Sequence, residues 1–432
     1  MNKIAINLLR ISTGLLLLLN TPNFSTIARA EVGIQKTNPS ISSSYPHAKE
    51  AIGSVRQVYD GVLSPELAVN TFRNIDRLFP SARIPKSDRP FPLPLDLQTW
   101  TQFRFVDRGR QFDLTQYLDL NRVAGILILK DGKIKLEQYR YGNSPQTRWM
   151  SMSIAKSITS TLVGAALQQK KIKSLNDPVV WYVPELQGSA YQGLSLRHVL
   201  MMASGVAWNE AYSDPRSDRR RLLEAQISQT PGATMQVMKK LAIAAPAGSV
   251  MNYNTGETQV VAQVLRQALG QSLAHYLADR IWRPFGMEAD ASWWLDSANG
   301  VEIGGSGFSA TLRDYGRFGL FMLGAGHVGG AGRAGQQILP LAWTYEATTP
   351  KALSNGTMIP YGYLWWPSTS PEALADGAYC AIGIHGQYLY INPRQNIVIV
   401  VWGAQTKPSG GAVINDRTFF DAVSRALSTS TQ

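Results

Sequence analysis

Two pairs of apolar runs, one at each end of the chain, most constrain its fold. The first run is "VAGILILK" from Val123. Asp131-Gly132 follows it, then the alternating "KIKLEQYRYG". Near the C-terminus "QYLYI" is followed by Asn392-Pro393 and then by "NIVIVVWG". Apolar or alternating runs separated by such turn residues read as β-hairpins, and Asp-Gly is among the strongest short hairpin signals. Between residues 175 and 296 the spacing is helical instead: "LSLRHVLMMAS", ended by Gly205, and "GETQVVAQVLRQAL", ended by Gly270. Further on, "GGSGFSATLRDYGRFGLFML" reads as a Gly-rich loop feeding a helix, with Thr311 and Asp314 as its capping box. "FFDAVSRAL" reads as a closing helix. Strands at both ends with helices between them predict an α/β (α+β) chain. Its central antiparallel sheet is flanked by helices and assembled from residues 116–174 and 300–432, with an all-α domain inserted over residues 175–299. Residues 31–115 form an N-terminal extension. Its start is polar and Ser-rich, and "FPSARIPKSDRPFPLPLDL" reads as an extended arm lying on the body.

The first thirty residues stand apart. Lys3 and Arg10 flank a basic start without acids, five consecutive leucines follow, and Ala28-Arg29-Ala30 offers small residues at signal-peptidase spacing. That is the pattern of a secretory signal peptide cut after Ala30, and the apolar run is too short for a permanent membrane span. A periplasmic or secreted mature chain is expected. Losing Lys3, Arg10 and Arg29 takes its formal charge from +12 to near +9. The remaining cations are scattered, apart from Arg219-Arg220-Arg221, and no nucleic-acid motif accompanies them, so no nucleic-acid partner is expected. Cys380 is the single cysteine, so no internal disulfide can form, and stability rests on the core.

The chemistry centres on "WMSMSIAKSITSTLVGAALQ", which holds the chain's one S-x-x-K match, Ser153 to Lys156. Ile158, Leu162, Ala165 and Ala166 recur at helical spacing, which sets Ser153 at a helix start and Lys156 one turn on, on the same face. A serine hydroxyl needs a base to become a nucleophile, and a lysine becomes one when burial and positive potential lower its pKa. The bland alternative is a helix-capping serine followed by a snorkelling lysine. Three other stretches bear on the choice. In "APAGSVMNYNTGETQ", Tyr253 sits on a turn before a long helix, where a phenol could move a proton. In "AIGIHGQYLYINP", a Gly-rich strand start admits close approach, and a backbone N–H there could complete an oxyanion hole. In "MMASGVAWNEAYSDPRSD", Trp208, Glu210 and Tyr212 could wall a cleft.

Taken together, "SMSIAKS", "MASGVAW", "PAGSVMNYNTG", "GGSGFSAT", "YGYLWW" and "AIGIHGQ" resemble the serine β-lactamase and penicillin-binding-protein superfamily over residues 51 to the C-terminus. Within it the order is most similar to class C β-lactamases, esterases of that fold and 6-aminohexanoate-dimer hydrolases. The resemblance implies a β-lactamase-like fold and an exported serine hydrolase that acts through an acyl-enzyme on amide or ester bonds of a small molecule, with neither cofactor nor metal. It implies Ser153 as nucleophile, Lys156 as its base and Tyr253 as handler of the second proton. It also implies an oxyanion hole from the N–H groups of Ser153 and Ile384, with Tyr212 closing on substrate. Trp208, Asn254 and His385 are expected to contact substrate.

Two departures narrow the substrate. The family's Tyr-x-Asn has Thr255 at its third position here, with Asn254 beside it. Its Lys-Thr-Gly strand reads Ile382-Gly383-Ile384-His385-Gly386, without the lysine that meets a β-lactam carboxylate. An amidase or esterase is therefore expected ahead of a class C-type β-lactamase or D-Ala-D-Ala peptidase. A non-catalytic cell-wall or penicillin binder is the alternative from another class. A Ser-His-Asp hydrolase lacks its G-x-S-x-G elbow, and a metal enzyme lacks H-E-x-x-H or any cysteine spacing.

Overall fold

The computed structural model describes residues 45–330 and 333–429. The signal peptide expected over residues 1–30 lies outside the described residues. At the first hairpin, Asp131 (φ 51°) and Gly132 (φ 75°) both take the left-handed conformation that a tight hairpin turn demands. They join strand Val123–Lys130 to Lys133–Tyr139. The second hairpin joins Gln387–Asn392 to Ile397–Gly403. Ile397–Gly403 pairs antiparallel with Val123–Lys130, so residues more than 250 positions apart become neighbours. The whole sheet has six strands, in the order Trp366–Pro367, Tyr379–Gly383, Gln387–Asn392, Ile397–Gly403, Val123–Lys130, Lys133–Tyr139.

Alternation along these strands builds two cores. Leu127, Leu129, Val398 and Val400 face one side, with helix Leu312–Leu323 packed over them. Ile126, Ile128, Ile399 and Val401 face the other, against Phe419 and Phe420 of the closing helix Asp416–Thr429. Both faces are covered, so the runs read as apolar at nearly every position. Thr311 caps Leu312–Leu323 as expected, but Asp314 does not complete a capping box. Its carboxylate accepts from the N–H groups of Glu288 (2.8 Å) and Ala289 (2.9 Å).

The segment read as an extended arm carries more structure than that. It forms helices Val55–Asp60 and Pro65–Phe72, each capped by a serine, and strand Ser81–Ile84. That strand opens a second, four-stranded sheet with Ala291–Trp294, Phe308–Thr311 and Arg148–Met150. Ala291–Trp294 falls inside the stretch read as helical; its four residues are too few to show a period beside the longer helical patterns. The second sheet matters for function because Arg148–Met150 leads directly to Ser153. Helix Thr255–Leu269 ends at Gly270 (φ 66°) as its sequence predicts. "LSLRHVLMMAS" yields only the short helix Leu196–Leu200, because Met202 turns to a left-handed φ of 52° before Gly205 is reached. Among the described residues, no helix is long and apolar enough to cross a membrane.

Candidate active site

Strand Arg148–Met150 ends where the Ser151 N–H donates to the Phe308 carbonyl at 2.7 Å. Met152, fully buried, then adopts φ 41°, a conformation that costs a non-glycine residue about 1–2 kcal/mol. This sharp turn delivers Ser153 to the start of helix Ile154–Gln168. The Ser153 side chain caps no backbone N–H of that helix, which leaves its hydroxyl available for chemistry and removes the capping reading.

Lys156 does not snorkel. It is 1% exposed, and its Nζ lies 2.9 Å from Ser153 Oγ and 3.0 Å from the Gly305 carbonyl. With one N–H given to Gly305, a neutral amine can turn its lone pair to the serine hydroxyl. Burial lowers the Lys156 pKa from 10.5 to about 7; Glu210 opposes that shift and Arg219 adds to it. The helix's polar residues hold it in place: Thr159 donates to the Gly304 carbonyl at 2.8 Å and Ser157 to that of Leu364 at 2.7 Å.

Tyr253 covers the pair, with Lys156 Nζ 5.2 Å from its ring centroid. Burial and the Glu210 charge push its phenol well above the ordinary value, while a hydrogen bond with Ser153 pulls the other way. The resting phenol is therefore protonated. Its ring stacks on Trp366 at 5.7 Å and meets Tyr361 edge-on at 6.2 Å.

Gly383, at the end of strand Tyr379–Gly383, forms the opposite wall. A Cβ at Gly383 would stand 2.5 Å from the Ser151 carbonyl oxygen and 3.1 Å from Met152 Cβ, so only glycine lets this strand reach the nucleophile turn. Ile384 follows and lines the same cleft as Ser153, Tyr212 and Tyr253. The cleft holds about 380 Å³, and its described lining includes no lysine, arginine, histidine, aspartate or glutamate, although Arg219 lines a small cavity that shares Ser153, Tyr212 and Ile384 with it.

Three expected substrate contacts are not among the residues lining this cleft, which corrects the reading from sequence. His385 is fully buried. Its Nδ1 hydrogen-bonds the Gln405 carbonyl at 2.8 Å, and its ring packs 4.9 Å from Phe72, so the imidazole points into the core. Burial pulls its pKa from 6.5 to about 4, with the carbonyls of Gln405 and Val58 opposing. The Asn254 side chain caps helix Thr255–Leu269 by accepting from the Glu257 N–H at 3.1 Å. Trp208 donates its indole N–H to Glu210.

Glu210 was legible as a residue of a wall loop, but its role was not. Its carboxylate also accepts from the Thr255 N–H at 2.9 Å and from the Thr255 hydroxyl. Thr255, where the family's motif has Asn, thus grips the acid whose field reaches both Lys156 and Tyr253. Arg219, 3% exposed and bonded to the Tyr59 hydroxyl, supplies the opposing charge. Arg220 is also buried, at 5% exposed, and nothing in the spacing of Arg219-Arg220-Arg221 marks the first two arginines as buried.

The protein-family model described as Beta-lactamase matches residues 116–422. The chain belongs to the beta-lactamase family. The match begins at residue 116, so the capped helices and the strand before it stand outside the matched region. Over 299 residues the chain is 30% identical to a 6-aminohexanoate-dimer hydrolase from Paenarthrobacter ureafaciens, covering 67% of this chain and 74% of that one. Among solved structures, "Putative 6-aminohexanoate-dimer hydrolase from Bacillus anthracis" superposes with a TM-score of 0.73 at 24% identity, covering 84% of this chain and 94% of that one. A family VIII carboxylesterase superposes with a TM-score of 0.55 at 14% identity, covering 72% and 97%. These two share its fold, the beta-lactamase-like α/β arrangement with a six-stranded antiparallel sheet.

Proposed function

We propose that this beta-lactamase-family hydrolase cleaves short esters or linear amides through an acyl-enzyme at Ser153. The observation that carries the reading is the buried Lys156 amine, 2.9 Å from Ser153 Oγ with its pKa lowered to about 7. Neutral Lys156 takes the Ser153 proton as Oγ bonds to the acyl carbon. The N–H groups of Ser153 and Ile384 hold the oxyanion that forms. The proton passes through Tyr253 to the departing amine or alkoxide as the acyl bond breaks. Water then repeats the sequence, giving its proton back along the same path and releasing the acid and the free serine.

An uncharged cleft favours neutral acyl groups. A β-lactam brings a carboxylate that would meet no cation among the lining residues, and a missing charged hydrogen-bond partner costs on the order of 1.5–3 kcal/mol. The similarity to a 6-aminohexanoate-dimer hydrolase supports linear amides as one substrate class, and the esterase neighbour's fold is compatible with esters. Export belongs to the same proposal: the mature chain would begin near Glu31, and N-terminal sequencing of the envelope fraction tests it, with full-length cytoplasmic chain as the opposing result.

A fluorophosphonate probe should add one adduct to the purified protein and none to Ser153→Ala. Turnover of p-nitrophenyl butyrate, linear amides, nitrocefin and a D-Ala-D-Ala peptide then ranks the substrate classes. Labelling that survives in Ser153→Ala sinks the assignment, and absence of any turnover favours the non-catalytic binder.

A further inference from the structure

Behind the Tyr253 turn lies a second polar cluster that the proposed reaction does not use. Glu257, in the first turn of helix Thr255–Leu269, is 1% exposed. The Ser204 hydroxyl offers it a hydrogen bond, yet neither carboxyl oxygen reaches good hydrogen-bond geometry with any described group. Asn254 Nδ2, the Tyr191 hydroxyl and the Tyr361 hydroxyl are likewise buried and lack good partners. Electrostatics ties these groups together: the Glu257 charge acts on both Tyr191 and Tyr361, and the Asn254 side chain acts on Tyr191 in the opposite sense. Lys156 and His198, carried by neighbouring helices, answer to other charges.

Three of its members are tied to the turn that carries the reacting tyrosine. Asn254 is next to it in sequence and receives the Glu257 N–H. Tyr361 meets the Tyr253 ring edge-on and also abuts Trp366, on which Tyr253 stacks. Ser204 lies on a stretch whose neighbours bind the turn's backbone: the Asn252 N–H donates to the Met202 carbonyl at 2.8 Å and the Gly248 N–H to that of Ala203 at 2.7 Å. We propose that Glu257 is a positioning residue that works as an un-ionised carboxyl, joining Ser204 to the Asn254–Tyr191 pair and so fixing the turn that carries Tyr253. The role given to Tyr253 under the proposed function is assumed here.

The physical reason is the absence of any cation among the groups that set its charge state. A first-turn carboxylate gains from the helix N-terminus, but burial acts the other way and is larger, raising the Glu257 pKa from 4.5 to about 8. A neutral carboxyl can donate through its O–H and accept through its C=O. A carboxylate at the same place would be an unpaired buried charge under the turn, and the turn would have to move to let water reach it.

Two measurements test this on the full mature chain. The first is background-corrected kcat/KM for p-nitrophenyl butyrate from pH 6 to 9.5. Wild type is expected to lose activity above about pH 8, where Glu257 ionises. Glu257→Gln, the neutral isostere, should stay within about threefold of wild type at pH 7 and lack that fall. A Gln variant that keeps the wild-type alkaline fall, or one that is folded yet a hundredfold slower at pH 7, overturns the proposal. The second is the difference in Tm between Glu257→Gln and wild type. The folded pKa lies above the unfolded one, so the stability contributed by the neutral acid is fully present below about pH 4.5 and lost by about pH 8. The difference should grow in favour of Gln across that window, and a flat difference overturns the proposal whatever Ser153 does. Should the Gln variant not fold, Glu257→Met, which cannot ionise, tests the alkaline fall and the pH-dependent Tm difference with the same overturning outcomes, without the expectation of near-wild-type activity at pH 7. Failed fluorophosphonate labelling would defeat the reaction scheme alone, so the two failures are separable.

Discussion

Lys156 and His385 belong to the two chain segments that meet at the cleft, and burial lowers the pKa of both, to about 7 and about 4. By burial and titration alone either side chain would pass for a base. What separates them is what the nitrogen faces. Lys156 Nζ has one bond to a carbonyl and points to a serine hydroxyl that caps nothing. His385 Nδ1 is bonded to the Gln405 carbonyl, and its ring lies against Phe72 on the far side of the wall that Ile384 presents to the cleft. A shifted pKa therefore identifies a buried group, and geometry decides whether that group is chemical or architectural.

The hardest break comes from replacing the lysine. Lys156→Arg keeps the charge but supplies no base, and kcat is expected to fall by about 10²–10⁴ with fluorophosphonate labelling abolished. A variant retaining more than about a hundredth of wild-type kcat would move the base elsewhere. In wild type the base must be neutral, so kcat/KM should rise through an apparent pKa near 7 and flatten above it, until the fall expected from Glu257. Next comes the opposing wall. Gly383→Ala would place a methyl 2.5 Å from the Ser151 carbonyl, which must push the Ile384 N–H away from the oxyanion. Loss of one such donor costs about 10²–10³ in kcat. Stopped-flow measurement should find the loss in acylation, and a variant within about threefold of wild type would mean that Ile384 is no oxyanion donor. A smaller effect tests the missing cation: at pH 7.5, kcat/KM for nitrocefin should lie more than about tenfold below that for p-nitrophenyl butyrate. Had His385 faced the cleft, acid would have rescued nitrocefin turnover. It faces the core and stays neutral to about pH 4, so the rate should not rise between pH 7 and pH 5.

These contrasts also mark what the sequence could express. Hairpins, the Ser153 helix and the Gly270 stop are local patterns, and local patterns are readable along a chain. The pairing of Ile397–Gly403 with Val123–Lys130 is distant, yet two unusually apolar strands of similar length imply it. Strand Ser81–Ile84 has no such mark among its prolines, because its partner Ala291–Trp294 is supplied from two hundred residues away. At the site, Ser153 and Lys156 were legible because helix geometry fixes a three-residue spacing. The roles of Glu210, Arg219 and Gly305 were not, since each acts through folding that brings remote loops against Lys156. His385 misled because its side chain turns the opposite way from the neighbouring residue's, with φ at 66°, and no neighbour in sequence announces such a turn.

The smallest effect on catalysis, and the sharpest test of the comparison, belongs to His385→Asn. Asparagine tolerates the left-handed backbone better than most residues, so the substitution probes the ring and its bond more than the turn. Losing the Nδ1 bond to Gln405 should cost about 0.5–1.5 kcal/mol, with a further penalty for the space left beside Phe72. The pH dependence carries the decisive sign. His385 has its folded pKa depressed from 6.5 to about 4, so its unfolded form binds the proton first as pH falls. The His385 contribution to stability is then fully present above pH 6.5 and lost progressively down to about pH 4, by ~3 kcal/mol in total. Chemical denaturation across that range should show the stability difference between wild type and His385→Asn shift against wild type by that amount as pH falls. The kinetic profile should behave oppositely: the limb near pH 7 belongs to Lys156 and should not move. If that limb shifts while the acid-dependent stability stays, His385 would be the chemical group after all, and the division between the two walls would have to be redrawn.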